Sequence, residues 1–266
     1  MRTALVTGAS SGIGAACAQR LVSAGWRVFA GVRTKGAAPA PTEEILLDVA
    51  SADNIARAAE RIGELDALVN NAGIAIAMPL EFIPVEELRR QLEVNVIGQV
   101  AVTQAFLPHL RRSRGRIVFV GSIAGRSALP FLGAYAASKH ALEAIADTLR
   151  VELKPFGVEV SIVEPGTIKT PIWVKSSELA ASLLGAASPQ LRDLYGDRIA
   201  AFGRVAQERG ARGASAAAVA RAVEEALTRD RPSTRKLVGR DAKLRAGVER
   251  LPDRLRDSVY ERLLLR

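Results

Sequence analysis

Tyr135 and Lys139 stand four residues apart in YAASKHAL (residues 135–142). On a helix that spacing puts a phenol and an ammonium on one face, and the small side chains of Ala136, Ala137 and Ser138 leave room beside them for a bound molecule. An ammonium close to a phenol favours the phenolate and draws a tyrosine pKa down from its usual value of about 10. Tyr135 is therefore expected to give and take a proton near neutral pH. Two further residues suit the same chemistry. Ser122, in GSIAG just past an apolar run, can hydrogen-bond a substrate oxygen on which charge develops. Asn95, in LEVNVIG on a helical stretch, is expected to relay Lys139 to solvent through a water. The expected catalytic set is Asn95, Ser122, Tyr135 and Lys139.

A second group of residues suits the binding of a diphosphate. In TGASSGIG, from Thr7 to Gly14, Gly8 permits a tight turn, Gly12 lets backbone approach an anion, and Gly14 allows close packing of the helix that follows. Ser10, Ser11 and Ile13 complete this loop. Asp48, followed by Val49 in LLDVAS, is expected to end a strand and accept from an adenine amine, although a plain helix N-cap would explain it as well. NNAG places Asn71, Ala72 and Gly73 as a backbone wall beside the nucleoside. In EPGTIKT, Pro165 and Gly166 turn the chain, Thr167 and Ile168 follow, and the Thr170 hydroxyl can reach a phosphate or carboxamide.

These motifs need a scaffold that brings them to one rim. The runs at 3–7, 27–32, 44–49, 66–70, 115–120 and 158–163, with a weaker seventh at 235–239, are short and rich in β-branched residues, and alanine-rich helical segments separate them. Apolar strands covered on both faces by right-handed crossovers make a parallel, doubly wound α/β sheet with every strand C-terminus on one edge. Ligands bind at that edge. The expected organisation is a single catalytic domain over 1–239 and a basic helical tail over 240–266. Within the domain, an insertion over 171–214 carries Gly185, Pro189, Gly196, Gly203 and Gly210 as breakers. That insertion is expected to act as a lid that closes on a bound substrate.

Composition narrows the functions. The 266 residues carry 37 Lys and Arg against 28 Asp and Glu, and residues 231–266 hold eleven of the basic residues against five acidic ones. With only 5% aromatic residues and no basic-aromatic stripe, nucleic acid is not the expected partner. One cysteine and two histidines speak against a disulfide framework or a zinc cluster. No apolar run reaches the length of a membrane span, so a cytoplasmic location is expected.

The sequence resembles the short-chain dehydrogenase/reductase family over roughly residues 3–239. The likeness rests on TGxxxGIG at 7–14, NNAG at 70–73, the set Asn95, Ser122, Tyr135 and Lys139, and the Pro165–Gly166 turn. It implies a Rossmann-type fold and hydride transfer between a nicotinamide cofactor and a carbonyl or alcohol. It also implies catalysis without metal, and a homodimer or homotetramer. VFAGVRTKGA and STRKLVGRDAKL are looser likenesses to the retinol and hydroxysteroid dehydrogenase branch. A 3-oxoacyl carrier-protein reductase and a non-catalytic dinucleotide sensor are the competing readings.

Cofactor choice turns on the end of the second strand. Val32 stands where NAD-using members of the family place an acidic residue, and Arg33 follows, whose guanidinium can pair with a 2′-phosphate. Lys35 can assist, whereas Ser11 adds nothing. NADP is the favoured cofactor, with NAD as the alternative. An apolar substrate pocket is expected from Ile74, Met78, Leu129, Phe131, Ile172, Trp173, Leu183, Leu184, Tyr195 and Phe202.

Overall fold

A computed structural model of the chain describes residues 1–170, 172, 176, 178, 179 and 189–264. Seven strands form one all-parallel sheet: β1 (Thr3–Thr7), β2 (Arg27–Val32), β3 (Glu43–Leu46), β4 (Ala67–Asn70), β5 (Arg116–Val120), β6 (Glu159–Pro165) and β7 (Arg235–Val238). Their order is β3-β2-β1-β4-β5-β6-β7. Winding runs outward from β1 through β2 to β3, then returns to the other side of β1 at β4. The connections above β1 and β4 therefore diverge and leave a crevice at the strand C-termini.

The helices are α1 (Gly12–Ser23), α2 (Ala52–Arg61), α3 (Val85–Leu92), α4 (Gly98–Ser113), α5 (Gly133–Glu152), α6 (Pro189–Arg212), α7 (Ala216–Thr228), α8 (Arg240–Val248) and α9 (Asp253–Leu264). Because strand side chains alternate, β1 feeds both layers. Ala4 and Val6 pack with Cys17 and Leu21 of α1 and Val219 and Val223 of α7. Leu5 faces the other way, toward Phe106 and Leu110 of α4 and Leu142 and Ala146 of α5. Cys17 is wholly enclosed, and burial pushes its thiol up to about 12, so it serves as an inert apolar filler.

Two segments depart from the sequence expectation. The third strand ends at Leu46 rather than at residue 49. Leu47 still donates to Val32 O (2.8 Å), but Ser51 N then donates to Asp48 O (3.1 Å), and that turn takes Asp48 off the strand. In the 171–214 segment, Gly196, Gly203 and Gly210 do not break the chain: all three lie within the single 24-residue α6. Glycine costs a helix interior about 1 kcal/mol relative to alanine. Here tertiary packing outweighs that cost. Phe131 meets Tyr195 and Phe202 edge-on at 6.3 and 5.4 Å, and the Tyr195 hydroxyl donates to Glu81 (2.8 Å). Trp173, Leu183, Leu184 and Gly185 lie outside the described residues.

Helices α8 and α9 fold back onto the rim beside β5 and β6. The Arg245 guanidinium donates to Ser127 O (3.1 Å) and Ser127 Oγ (2.9 Å), and the Tyr260 hydroxyl lies 2.9 Å from the same Ser127 Oγ. Asp241 accepts from Thr167 N at 2.6 Å, next to Gly166, where a Cβ would stand 2.3 Å from Asp241 Oδ1. Among the described residues no helix is long and apolar enough to cross a membrane.

The sheet's α4–α5 face depends on Phe106, which is fully buried. Replacing it with alanine is expected to lower unfolding stability by about 3–5 kcal/mol, measured by urea titration.

Candidate active site

The crevice is held open by one hydroxyl. Thr7 Oγ1, at the end of β1, accepts from Asn71 N (2.9 Å) and Ala72 N (3.0 Å) and donates to Val69 O (3.3 Å). The Asn71 carboxamide crosses back and donates to Thr7 O (2.9 Å) and Gly8 O (3.2 Å). The loop after β1 is thereby locked to the loop after β4. Gly8 has φ +65°, and a Cβ there would stand 2.8 Å from Ala72 Cα. At Gly14 a Cβ would stand 2.3 Å from Gly8 O. Ser11 caps α1 without a side-chain bond to the first turn, which also lacks an acidic residue, so the helix N-terminus keeps its donors and its positive end for an anion.

Over this loop lies a cavity of 360 Å³ lined by Gly8, Ser10, Ser11, Gly12, Ile13, Arg33, Asp48, Val49, Asn71, Ala72, Gly73 and Thr170. It adjoins a cleft lined by Ser122, Tyr135, Lys139, Pro165, Gly166 and Ile168, and the two share Ile13, Asn71, Gly73, Ile74, Thr170 and Ile172. Such a tract fits an extended dinucleotide. A close backbone approach and a helix N-terminus suit its diphosphate, the Arg33–Asp48 end suits the adenosine, and the Tyr135–Lys139 end suits the nicotinamide. Thr7 and Gly14 lie behind the wall rather than on it. Thr167 faces elsewhere: its N–H goes to Asp241, and it lines a separate cavity of 850 Å³ beneath α6 and α8. Asp48 is turned back on its own turn, its Oδ1 accepting from Ala50 N (3.0 Å), while Ser51 provides the N-cap of α2.

The wall at residues 72–76 is supported by a ladder of carboxamides. Gln91, Asn95 and Gln99 are spaced by four and fully buried. Gln99 Nε2 donates to Ala72 O (2.7 Å). Asn95 accepts from Ile74 N (2.8 Å) and donates to Ile74 O (2.9 Å). Gln91 accepts from Ile76 N (2.9 Å) and donates to Ile74 O (2.7 Å). Between α3 and α4 the chain winds as a π-type stretch over Glu93–Ile97, with Gly98 N donating to Glu93 O. This wider winding offsets the drift that four-residue spacing has on an α-helix and keeps the three amides in line. Asn95 Nδ2 also donates to Ser138 Oγ (3.0 Å), so this carboxamide ties the Ile74 backbone to α5.

Tyr135, Ser122 and Lys139 do come together. Ser122 hydrogen-bonds the Tyr135 phenol and also accepts from Ala124 N (3.1 Å). Lys139 Nζ donates to Val120 O (2.9 Å) and lies 5.8 Å from the Tyr135 ring centroid. Burial dominates the electrostatics: it pushes the Tyr135 phenol above its usual range, with Ser122 and the Arg245 charge pulling the other way. Enclosure of the phenol thus outweighs the lowering expected from a nearby ammonium. Burial also brings Lys139 down to about 8, offset in part by the Glu143 charge.

Residues that the sequence reading missed include Gln91 and Gln99, whose spacing from Asn95 was the available signal. Arg90 and Val94 also line the cavity, and Arg245 reaches the site from a distant helix, which no local pattern announces.

Sheet order and cleft together define a dinucleotide-binding protein of Rossmann type. A family model described as short chain dehydrogenase matches residues 2–180. The NADPH-dependent 3-dehydrocapnine reductase of Ornithobacterium rhinotracheale is 36% identical, covering 98% of this chain and 96% of that protein. Human retinol dehydrogenase 16 is 36% identical over 90% of this chain and 81% of its own length. A short-chain dehydrogenase from Burkholderia cenocepacia, solved with NADP, is 29% identical with a TM-score of 0.75 and covers 99% of each chain. The chain belongs to the short-chain dehydrogenase family and is an NAD(P)-dependent oxidoreductase acting on CH–OH and C=O groups. Enzyme membership sets aside the sensor reading, and the likeness to the retinol and hydroxysteroid dehydrogenases holds at the level of whole sequences.

The geometry predicts two separable defects. Gly14→Ala is expected to abolish binding of the reduced nicotinamide cofactor, followed by its fluorescence, because the Gly8 backbone and the Asn71 carboxamide that locks the two loops leave no room for the new methyl. Thr7→Val leaves two backbone donors unpaired and is expected to destabilise the fold by about 2–6 kcal/mol, at ~1–3 kcal/mol per group, read by urea titration.

Proposed function

We propose that the enzyme is an NADP-preferring reductase or dehydrogenase of apolar ketones and secondary alcohols, with Tyr135 as the proton donor and acceptor. The observation that carries this reading is the meeting of the Ser122 hydroxyl and the Tyr135 phenol in a cleft continuous with the dinucleotide cavity. A bound nicotinamide supplies or takes the hydride. Ser122 holds the substrate oxygen, and the buried phenol, kept protonated, donates to that oxygen as charge develops on it. Lys139, anchored on Val120 O, orients the ribose end of the cofactor, and its ammonium offsets the negative charge of the phenolate once Tyr135 gives up its proton. Asn95 acts at one remove, by fixing the Ile74 backbone on one side and Ser138 of α5 on the other.

NADP preference rests on Arg33. It is exposed at the cavity mouth just past β2, and the strand ends on Val32 with no carboxylate to hold ribose hydroxyls. The NADPH dependence of the Ornithobacterium relative points the same way. For the substrate, Ile172 packs on Ala75, Ala124 and Tyr135, next to the reacting groups. Phe131 meets Tyr195 and Phe202 of α6 edge-on, while Leu129 and Phe202 line the separate 850 Å³ cavity, whose wall also carries charged side chains such as Arg212, Asp241 and Arg245. Met78 is buried, and its N–H is bonded to Phe131 O (2.8 Å). The apolar Ile172, Ala75 and Ala124 beside Tyr135 suit a lipophilic molecule presenting a single oxygen.

Tyr135→Phe keeps the ring and removes the acid, so turnover is expected to fall about a hundredfold or more while the Kd for NADPH stays within about twofold. Retention of over about a tenth of the activity would refute the assignment. Arg33→Ala is expected to raise KM for NADPH and leave KM for NADH unchanged. An NADH preference in the wild type that survives this change would overturn the cofactor reading.

A further inference from the structure

Tyr135, Lys139 and Glu143 follow one another at four-residue intervals along α5, and Glu143 meets Glu164, the β6 residue that precedes Pro165. Glu164 is 0% exposed and Glu143 9%, and their carboxyl groups lie within hydrogen-bonding reach of each other. One oxygen of each is accounted for. Glu164 Oε1 accepts from Arg126 Nε (2.8 Å), and Glu143 Oε2 accepts from Arg235 Nε (3.0 Å). The other two, Glu143 Oε1 and Glu164 Oε2, meet no donor among the described residues. Two ionised carboxylates so placed would repel one another and offer no hydrogen. A single proton between them converts the contact into an O–H···O bond.

We propose that Glu143 and Glu164 share one proton, and that this bridge is a positioning device fixing the α5 face that carries Tyr135 and Lys139 against the strand leading into the Pro165–Gly166 turn. The bridge itself stands on the buried pair alone; its effect on cofactor binding rests on the function proposed above. Every charged group around the pair is in place. On α5 stand Lys139 and Asp147, the latter paired with Arg150 (2.7 Å) and with Arg235. The turn after β5 brings Arg126. From β7, Arg235 also comes within 3.8 Å of Glu164 Oε1. Gly125 closes the seam, since a Cβ there would stand 2.9 Å from Lys139 O and 3.1 Å from Glu143 Oε1.

Burial first, and the Glu164 charge second, push the Glu143 carboxyl up from its ordinary 4.5 to about 7, with Arg235 pulling back. A carboxyl raised in the folded state holds its proton where the unfolded chain has released it. Its stabilising contribution is complete below pH 4.5 and is lost as pH rises to and through 7.

The test compares the full-length wild type with Glu143→Gln, whose amide offers Glu164 a permanent N–H. Thermal unfolding and the Kd for NADPH are measured at pH 5, 6, 7 and 8 at constant ionic strength. The wild-type melting temperature is expected to fall with pH more steeply than that of the variant. The wild-type Kd is expected to rise several-fold between pH 6 and 8, while that of the variant stays within about twofold. Equal pH slopes of melting temperature overturn the shared proton, and equal slopes of Kd overturn the positioning role. Should the wild type fail to bind NADPH at all, the proposed cofactor reading fails, and the melting comparison still decides the bridge. If Glu143→Gln does not fold, the infrared spectrum of the wild type decides it. A protonated-carboxyl C=O band present at pH 6 and lost by pH 8.5 is expected, and its absence at pH 6 overturns the bridge.

Discussion

The Thr7 hydroxyl sits where the winding of the sheet changes direction, and its three hydrogen bonds tie the end of β1 to the end of β4. A doubly wound sheet must open a crevice at that point, because the two connecting loops leave in opposite directions. Opening costs backbone hydrogen bonds, since the strands can no longer satisfy one another past Asn70. A side-chain oxygen that accepts twice and donates once replaces them within a buried volume, where an unpaired donor costs about 1–3 kcal/mol. The glycine loop, its close approach to Ala72 and the direction in which α1 leaves the sheet all follow from that clasp.

The groups around the Tyr135 cleft are held by a different device. Each is fixed through a partner on another element: Lys139 by the carbonyl that ends β5, the 72–76 wall by three amides from α3–α4, and the Ser127 turn by Arg245 and Tyr260 from the last two helices. Rigid elements carry the side chains, and hydrogen bonds between elements set their register. Small displacements are costly in such an arrangement, which suits chemistry that depends on sub-ångström approach of donor and acceptor.

Much of this was legible in the sequence, for reasons that can be stated. β1 and β2 fall where the runs at 3–7 and 27–32 place them, because strands buried on both faces are continuously apolar and bounded by glycine or charge. The glycine loop, NNAG, Ser122, Tyr135 and Lys139 were legible because each motif lies just past a strand or on the helix that follows. Asp48 was misplaced because strand propensity continues through Leu47 and Val49 while a backbone turn at Ser51 overrides it. Gly196, Gly203 and Gly210 misled in the opposite sense, since local propensity speaks for a break and aromatic packing on Phe131 holds the helix together. Asn95 was found, but the partners of its carboxamide were not, and neither was the burial that governs Tyr135. Both depend on what lies across the fold rather than on neighbours in the chain.

The Ser127 clasp also has a consequence for the order in which the protein is made. Arg245 and Tyr260 leave the ribosome more than a hundred residues after the turn they hold. The strands and helices that build the crevice, up to Asn95 and Gln99, emerge long before them. A nascent chain can thus assemble its nucleotide half during synthesis, as N-terminal units generally do. The Ser127 turn acquires its final hydrogen bonds only when translation has passed residue 260. A chain released between β7 and Arg245 would therefore carry all seven strands but lack the side chains that anchor the Ser127 turn.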